Sequence, residues 1–165
     1  MFVKVTTEEQ IEIVESLAKE IWSEHYTSII GVQQVKYMLE KFQSKKAITE
    51  QIFNGYIYFL IEDNESYVGY IAILPKNSEL FLSKFYLKAS NRGKGLGKKS
   101  IQFLEEFAVR EKLQKITLTV NKNNINSIKA YEKFGFKNSG AIVQDIGSGY
   151  VMDDFRMEKD VFFKG

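Results

Sequence analysis

The 165-residue chain has no cysteine, one histidine and one proline. Without thiols it can build no disulfide framework, no thiolate metal site and no cysteine nucleophile, and its composition suits a reducing compartment, so a cytoplasmic location is expected. The lone histidine, His25, excludes a multi-histidine metal centre, and no metal is expected. No apolar run approaches the roughly 20 residues that a membrane span needs. The start, Met1-Phe2-Val3-Lys4, passes straight into polar residues with no signal-peptide core, so no membrane contact is expected either. A net charge of +2 is too small to mark a nucleic-acid partner. The 44% hydrophobic and 27% charged fractions are those of a folded globular chain. Its length suits a single domain over 1–165 with one core.

The pattern of residues divides into helical and strand-like stretches. Phe2 to Val5 reads as a first strand. Thr6 and Thr7, each followed three residues later by Glu9 or Gln10, are overlapping capping-box signals. They start a helix with Val14, Leu17, Ala18 and Ile21 on one face, ending near Trp22 before a polar and aromatic connection, Ser23 to Thr27. Gly31 precedes a second helix carrying Val32, Val35, Leu39 and Phe42, and a shorter helix, Ala47 to Phe53, stops at Asn54-Gly55. Tyr56–Ile61 and Tyr67–Leu74 then read as a hairpin with a four-residue loop, Asp63 to Ser66. Pro75 to Ser78 makes the next turn, and Glu79 to Leu87 is a third antiparallel strand. A helix from Leu96 to Arg110, a strand from Lys115 to Val120, a short helix from Ser127 to Phe134 and strands near Ala141–Asp145 and Tyr150–Met157 complete the chain. The order β-α-α-β-β-β-α-β-α-β-β predicts an α/β fold, a mixed (α+β) sheet with helices on both faces. The crossover between the strands on either side of the Leu96 helix should be parallel.

At that crossover stands Arg92-Gly93-Lys94-Gly95-Leu96-Gly97-Lys98, three glycines among basic and apolar residues where a strand gives way to a helix. Glycines allow left-handed backbone and close approach of a ligand. A helix N-terminus offers unpaired N–H groups and the positive end of the helix dipole, together an anion site. The residues alone leave two readings, a pyrophosphate cradle or a glycine-rich surface turn. They fit neither a Walker loop, which needs a glycine five residues before Gly97, nor GxGxxG, because the three glycines are evenly spaced.

The sequence resembles the GCN5-related N-acetyltransferase (GNAT) superfamily in three ordered segments. Arg92 to Gly97 is similar to that family's Arg/Gln-x-x-Gly-x-Gly/Ala loop. Leu82-Ser83-Lys84-Phe85-Tyr86-Leu87 is similar to the strand before it. Asn124 to Phe136 is similar to Asn-x-x-Ala-x-x-x-Tyr-Glu-Lys-x-Gly-Phe, with Ser127 in place of the alanine. A narrower likeness joins Trp22–Tyr26, Ile29–Gly31, Gln34–Leu39 and Tyr150–Phe155 to bacterial spermidine/spermine-type acetyltransferases.

The resemblance implies a GNAT-like acyl-CoA N-acyltransferase fold and acetyl-CoA as cosubstrate. Arg92, Gly93, Lys94, Gly95, Gly97 and Lys98 would hold the pyrophosphate. The backbone of Phe85, Tyr86 and Leu87 would pair with the pantetheine arm like an added strand, and a strand N–H would stabilise the oxyanion. Asn124 would contact the cofactor, while Asn126 is a helix-cap candidate. Tyr131 would contact the cofactor and protonate the departing thiolate as general acid. Glu79, at the start of the strand before the loop, and His25 are the candidates for a base. Glu24, Asp153 and Asp154 are carboxylates able to attract a cationic amine. Without cysteine, direct transfer within a ternary complex is expected. The acceptor implied is a small-molecule amine, a polyamine such as spermidine or spermine. A protein N-terminus, an aminoglycoside or a non-catalytic CoA-binding regulatory role are the alternatives, and a nucleic-acid module using Arg92, Lys94, Lys98 and Lys99 is disfavoured by the charge balance. The sequence leaves the oligomeric state open, a homodimer included.

Overall fold

A computed structural model of the chain describes residues 1–161. Its elements, in order, are β1 (Phe2–Lys4), α1 (Glu8–Ile30), α2 (Val32–Gln43), α3 (Lys45–Phe53), β2 (Ile57–Asp63), β3 (Ser66–Lys76), β4 (Glu79–Leu87), α4 (Leu96–Arg110), β5 (Lys115–Asn121), α5 (Ile125–Lys133), β6 (Lys137–Gly147) and β7 (Tyr150–Asp160), with a 3-10 turn at Ala89–Asn91. The strands make one seven-stranded sheet in the order β1-β2-β3-β4-β5-β7-β6. β4 and β5 run parallel, as the crossover rule requires, while β1–β2, β2–β3, β5–β7 and β6–β7 are antiparallel. The mixed sheet expected from the sequence is therefore present. The chain groups into two compact units, Met1–Leu74 with Ser83–Lys94, and Pro75–Leu82 with Gly95–Gly165.

In the first unit, Thr7 caps α1. Its hydroxyl accepts from the Gln10 N–H at 3.2 Å, and the Gln10 side chain accepts from the Thr7 N–H at 3.0 Å, completing a capping box. The helix then runs well past Trp22, contrary to the expected end there. No glycine or proline interrupts it before Gly31, whose φ of +87° no β-carbon residue adopts cheaply. The polar run that suggested a connection lies on the helix surface, with Ser23 and Glu24 exposed and the Thr27 hydroxyl donating to the Ser23 carbonyl at 2.5 Å. Ser44 separates α2 from α3 by accepting from the Ala47 N–H, so the short helix read from Ala47 stands as a third helix between β1 and β2, one more than the order β-α-α-β counts. Val14, Ala18, Ile21 and Trp22 of α1, Val35 and Met38 of α2 and Ile48 of α3 are buried, and the three helices pack on one another. The β2–β3 hairpin closes through two residues rather than four. Asn64 and Glu65 both take left-handed dihedrals (φ 50° and 65°), the signature of a tight I′ turn, and Asp63 pairs with Ser66. β3 passes through Pro75, so the next turn is Asn77-Ser78 alone.

In the second unit, Ile101, Leu104 and Ala108 of α4 are buried, as are Ile116, Leu118 and Val120 of β5; Thr117 between them is buried too, so β5 is covered on both faces there rather than half-buried as its alternation predicts. α5 begins at Ile125, two residues earlier than expected. Asn124 occupies its N-cap position, and Asn126, the residue read as a cap, lies within the helix. β6 and β7 are eleven residues each, longer than their apolar cores suggested, and turn through Ser148-Gly149 with positive φ at both.

Candidate active site

Phe85, Tyr86 and Leu87, at the carboxyl end of β4, are all half-buried. The Tyr86 ring is locked among Trp22 (centroids 5.4 Å apart), Tyr26 (6.1 Å) and Tyr70 (5.6 Å), and its hydroxyl lies 3.1 Å from that of Tyr26. Gly69 of β3 makes the close approach possible, since a β-carbon there would overlap the Tyr86 carbonyl oxygen. A strand fixed by three aromatic contacts and a glycine neighbour holds its backbone groups in place. The β4–β5 register covers Glu79–Phe81 against Lys115–Thr117.

The loop after β4 is built for left-handed backbone. Gly93 and Gly95 have φ of 76° and 82°, and a β-carbon on either would meet nothing within 4 Å, so the space above them is open. Arg92 reaches back, its guanidinium donating to the Leu87 carbonyl at 3.1 Å. Gly95 is the N-cap of α4 and has no side chain to satisfy the first N–H groups. The first turn holds no acid and contains Lys98 and Lys99, both exposed. That is the wrong charge for helix stability and the right one for an anion. Gly97 differs from its neighbours. A β-carbon there would press on the Phe134 ring at 3.1 Å, so it serves packing between α4 and the end of α5.

Asn124 is 4% exposed, yet its side chain makes no hydrogen bond among the described residues and does not cap α5. Asn121 accepts from the Asn123 N–H at 2.9 Å, shaping the turn that carries Asn124. Tyr131 lies on the last turn of α5, where a Schellman motif fixes it. The Phe136 N–H donates to the Tyr131 carbonyl and the Gly135 N–H to that of Glu132, both at 3.0 Å, with Gly135 left-handed at φ 95°. The Tyr131 and Phe136 rings meet edge to face at 5.5 Å, the apolar contact that accompanies such a motif. Lys159 ties the end of α5 down from β7, its ammonium donating to the Phe134 carbonyl and to Glu105 of α4. The tyrosine's place is thus set by the backbone motif of Tyr131-Glu132-Lys133-Phe134-Gly135-Phe136.

Glu79 stands apart. It is in register with Lys115, the first residue of β5, whereas Asn124 follows the last, and six strand residues span about 20 Å. Its carboxylate is held by Arg156 at 3.5 Å and Lys115 at 3.9 Å, and Lys115 also meets Glu158 at 3.5 Å. The structure therefore gives Glu79 a place in an ion-pair network at the opposite end of β5 from Asn124. Two groups gain interest instead. Lys84 of β4 is half-buried against the Phe42 ring, and desolvation lowers its ammonium to about 8. Asp154 of β7 is 2% exposed, and burial first, then Asp153, raises its carboxyl to about 6 against the pull of Lys122. A lysine inside an apolar strand was a visible signal for Lys84. The acidic pair Asp153-Asp154 was visible too, but not which of the two turns inward. The expected residues fall into two groups, Phe85–Leu87 with Arg92–Lys94 in the first unit, and Gly95, Gly97, Lys98, Asn124 and Tyr131 in the second.

The sheet order, with its parallel β4–α4–β5 crossover, is that of the GNAT-like acyl-CoA N-acyltransferase fold. The PaiA N-acetyltransferase of Thermoplasma acidophilum, solved in complex with coenzyme A, has a TM-score of 0.78 at 20% identity over 97% of this chain and 99% of that one. A spermidine N-acetyltransferase SpeG chimera from Vibrio cholerae and hSSAT has a TM-score of 0.71 at 19% identity, covering 97% and 94%. At such identities the likeness is one of fold. The acetyltransferase (GNAT) family model matches residues 15–136, and the chain belongs to that family. The spermine/spermidine N(1)-acetyltransferase of Bacillus subtilis (strain 168) is 37% identical over 68 residues, 41% of this chain and 45% of the relative. The chain thus spans less than half the length of that curated relative in the match.

Proposed function

We propose that residues 1–165 act as one acetyltransferase domain that moves an acetyl group from acetyl-CoA to a primary amine by direct attack in a ternary complex. The observation that carries this reading is the start of α4 in a chain of the GNAT family. It has a left-handed glycine cap, open space over Gly93 and Gly95, free N–H groups and two lysines with no acid to neutralise them. In this reading the loop Arg92–Lys98 binds the pyrophosphate, with Arg92, Lys94 and Lys98 adding charge. The Phe85–Leu87 backbone pairs with the pantetheine arm. Asn124, buried and without a side-chain partner among the described residues, supplies its amide to the same substrate. The amine nitrogen forms a bond to the thioester carbon, the C–S bond breaks, and the Tyr131 hydroxyl gives its proton to the thiolate.

The acceptor class proposed is a polyamine such as spermidine or spermine, supported by the partial match to the Bacillus subtilis relative. Reaction within the cytoplasm fits the cysteine-free composition. No helix among the described residues is long and apolar enough to cross a membrane. Thiol release from acetyl-CoA, measured across spermidine, spermine, simple diamines, aminoglycosides and peptides, tests the acceptor. Turnover with polyamines at kcat/KM at least tenfold above peptides is expected, and activity on peptides alone would overturn the polyamine reading.

A further inference from the structure

Every charged side chain along β5 and β7 but two has a counter-ion. Lys115 meets Glu79 and Glu158, Asp153 meets Lys122 at 2.8 Å, Arg156 meets Glu79, and Lys159 meets Glu105. One exception, Asp160, is exposed to water and needs none. The other is Asp154, the most buried of the set, with no hydrogen bond or ion pair among the described residues. A buried carboxylate without a partner is costly, and native chains rarely keep one without a use.

Its surroundings point to a ligand. Asp154 is in register with Asn121 on β5 and Ile142 on β6. On the sheet face it shares lie the side chains of Thr117, Thr119 and Asn121 of β5 and, along its own strand, Arg156 and Glu158, both already paired with other ions. The charged groups acting on it are Asp153 and Lys122, and that lysine is already committed to Asp153. From β6 the register neighbours Ala141, Ile142 and Val143 bring no charge. Asn124 bonds through its N–H to the Asn121 carbonyl at 2.9 Å and is the second buried, unpartnered polar side chain at this end of β5. Among the described residues the side-chain polar atom sealed from water without a partner is Trp22 Nε1. The Asp154 oxygens and the Asn124 amide are not among such sealed atoms.

We propose that Asp154 is the acceptor site of the reaction: its carboxylate binds the ammonium group of a primary amine and takes the first proton from it. This rests on the acetyl-transfer reading above and supplies the base that reading lacks. The ammonium gives one proton to Asp154 and becomes a neutral amine with a free electron pair. That pair forms the C–N bond to the acetyl carbon, and the C–S bond breaks. Tyr131 protonates the departing sulfur and recovers its proton from the nitrogen as the amide forms. Asp154 returns its proton to water. The sum is an amide, a thiol and one released proton.

Burial supports the role, because a carboxyl raised to about 6 is ionised at neutral pH yet far better matched to proton transfer than an exposed one. The test uses the full chain, with spermidine as probe. Asp154→Asn should lower kcat/KM for spermidine by ~100-fold or more, weaken spermidine binding at least tenfold in the presence of coenzyme A, and leave the acetyl-CoA Kd within twofold. Wild-type kcat/KM should fall below about pH 6, and the variant should lack that limb. Spermidine turnover within threefold of wild type would overturn the proposal. If wild type transfers no acetyl group, the transferase reading fails and amine binding alone decides about Asp154. Loss of binding in the variant then supports it, and equal binding, or none in wild type, overturns it. A carbon-13 titration of the wild-type Asp154 carboxyl needs no variant. Saturating spermidine should lower its pKa by a unit or more, and an unmoved titration would again overturn the assignment.

Discussion

Tyr131 is held by two main-chain hydrogen bonds, an edge-on ring and a helix end pinned by Lys159. Such a support leaves the backbone intact when the hydroxyl is removed. Tyr131→Phe is therefore expected to lower kcat by ~100-fold, the usual scale for losing a general acid, with the acetyl-CoA Kd changed less than threefold. An unaltered kcat would remove the role. Asp154 carries a stability signature as well as a chemical one. Its folded-state carboxyl sits at about 6, above its ordinary 3.8. Between those values the folded chain keeps a proton that the unfolded chain has released, so stability falls as pH rises from about 4 to about 6. Urea unfolding at a series of pH values should show this loss in wild type but not in Asp154→Asn, which should be at least as stable as wild type at pH 7.5. A less stable variant at that pH would mean that the carboxylate has a stabilising partner.

On the proposed reading, the start of α4 sets helix stability against ligand binding. A glycine cap and two first-turn lysines each cost the helix, the lysines about 0.3–1 kcal/mol apiece through the dipole. Lys98→Glu should accordingly raise Tm slightly while weakening acetyl-CoA binding at least tenfold, whereas a loop with no anion to bind would gain stability and lose nothing. Gly95→Ala should cost about 1–2 kcal/mol, because the position is left-handed at φ 82°. Elements such as these were readable from the sequence because their signals are local. Glycines marked the loop, alternation marked β5, and the 3.6-residue pattern marked α4. Where the structure departs from the sequence signal, the signal is local and the structural cause is not. Ser23–Thr27 looks like a loop by composition, yet α1 runs on through Trp22 and Tyr26, whose rings stack toward Tyr86. The turn at Asn64-Glu65 lacks the glycine that usually marks its type, so its two-residue length was hidden. Asp154 could be named but not ranked, because burial depends on register with β5 and β6, and register is a property of three strands.

For the whole molecule, the mixed sheet and its parallel crossover followed from the element order, since a strand–helix–strand connection has few ways to close. What the order of elements does not carry is the acceptor. The fold is shared by proteins of the family at 20% identity and below, and the stretch most like a polyamine acetyltransferase covers 41% of the chain. In the proposed reaction the donor side rests on backbone, the Gly93–Gly97 loop and the end of β4, whereas the acceptor side rests on a few side chains such as Asp154. The central claim, acetyl transfer from acetyl-CoA to an amine, is tested most directly by incubating the chain with acetyl-CoA and spermidine and counting products. One mole of free thiol for each mole of N-acetylated spermidine, with both lost in Tyr131→Phe, is the predicted result. Tight coenzyme A binding with no acetylated product from spermidine or any other amine would contradict it.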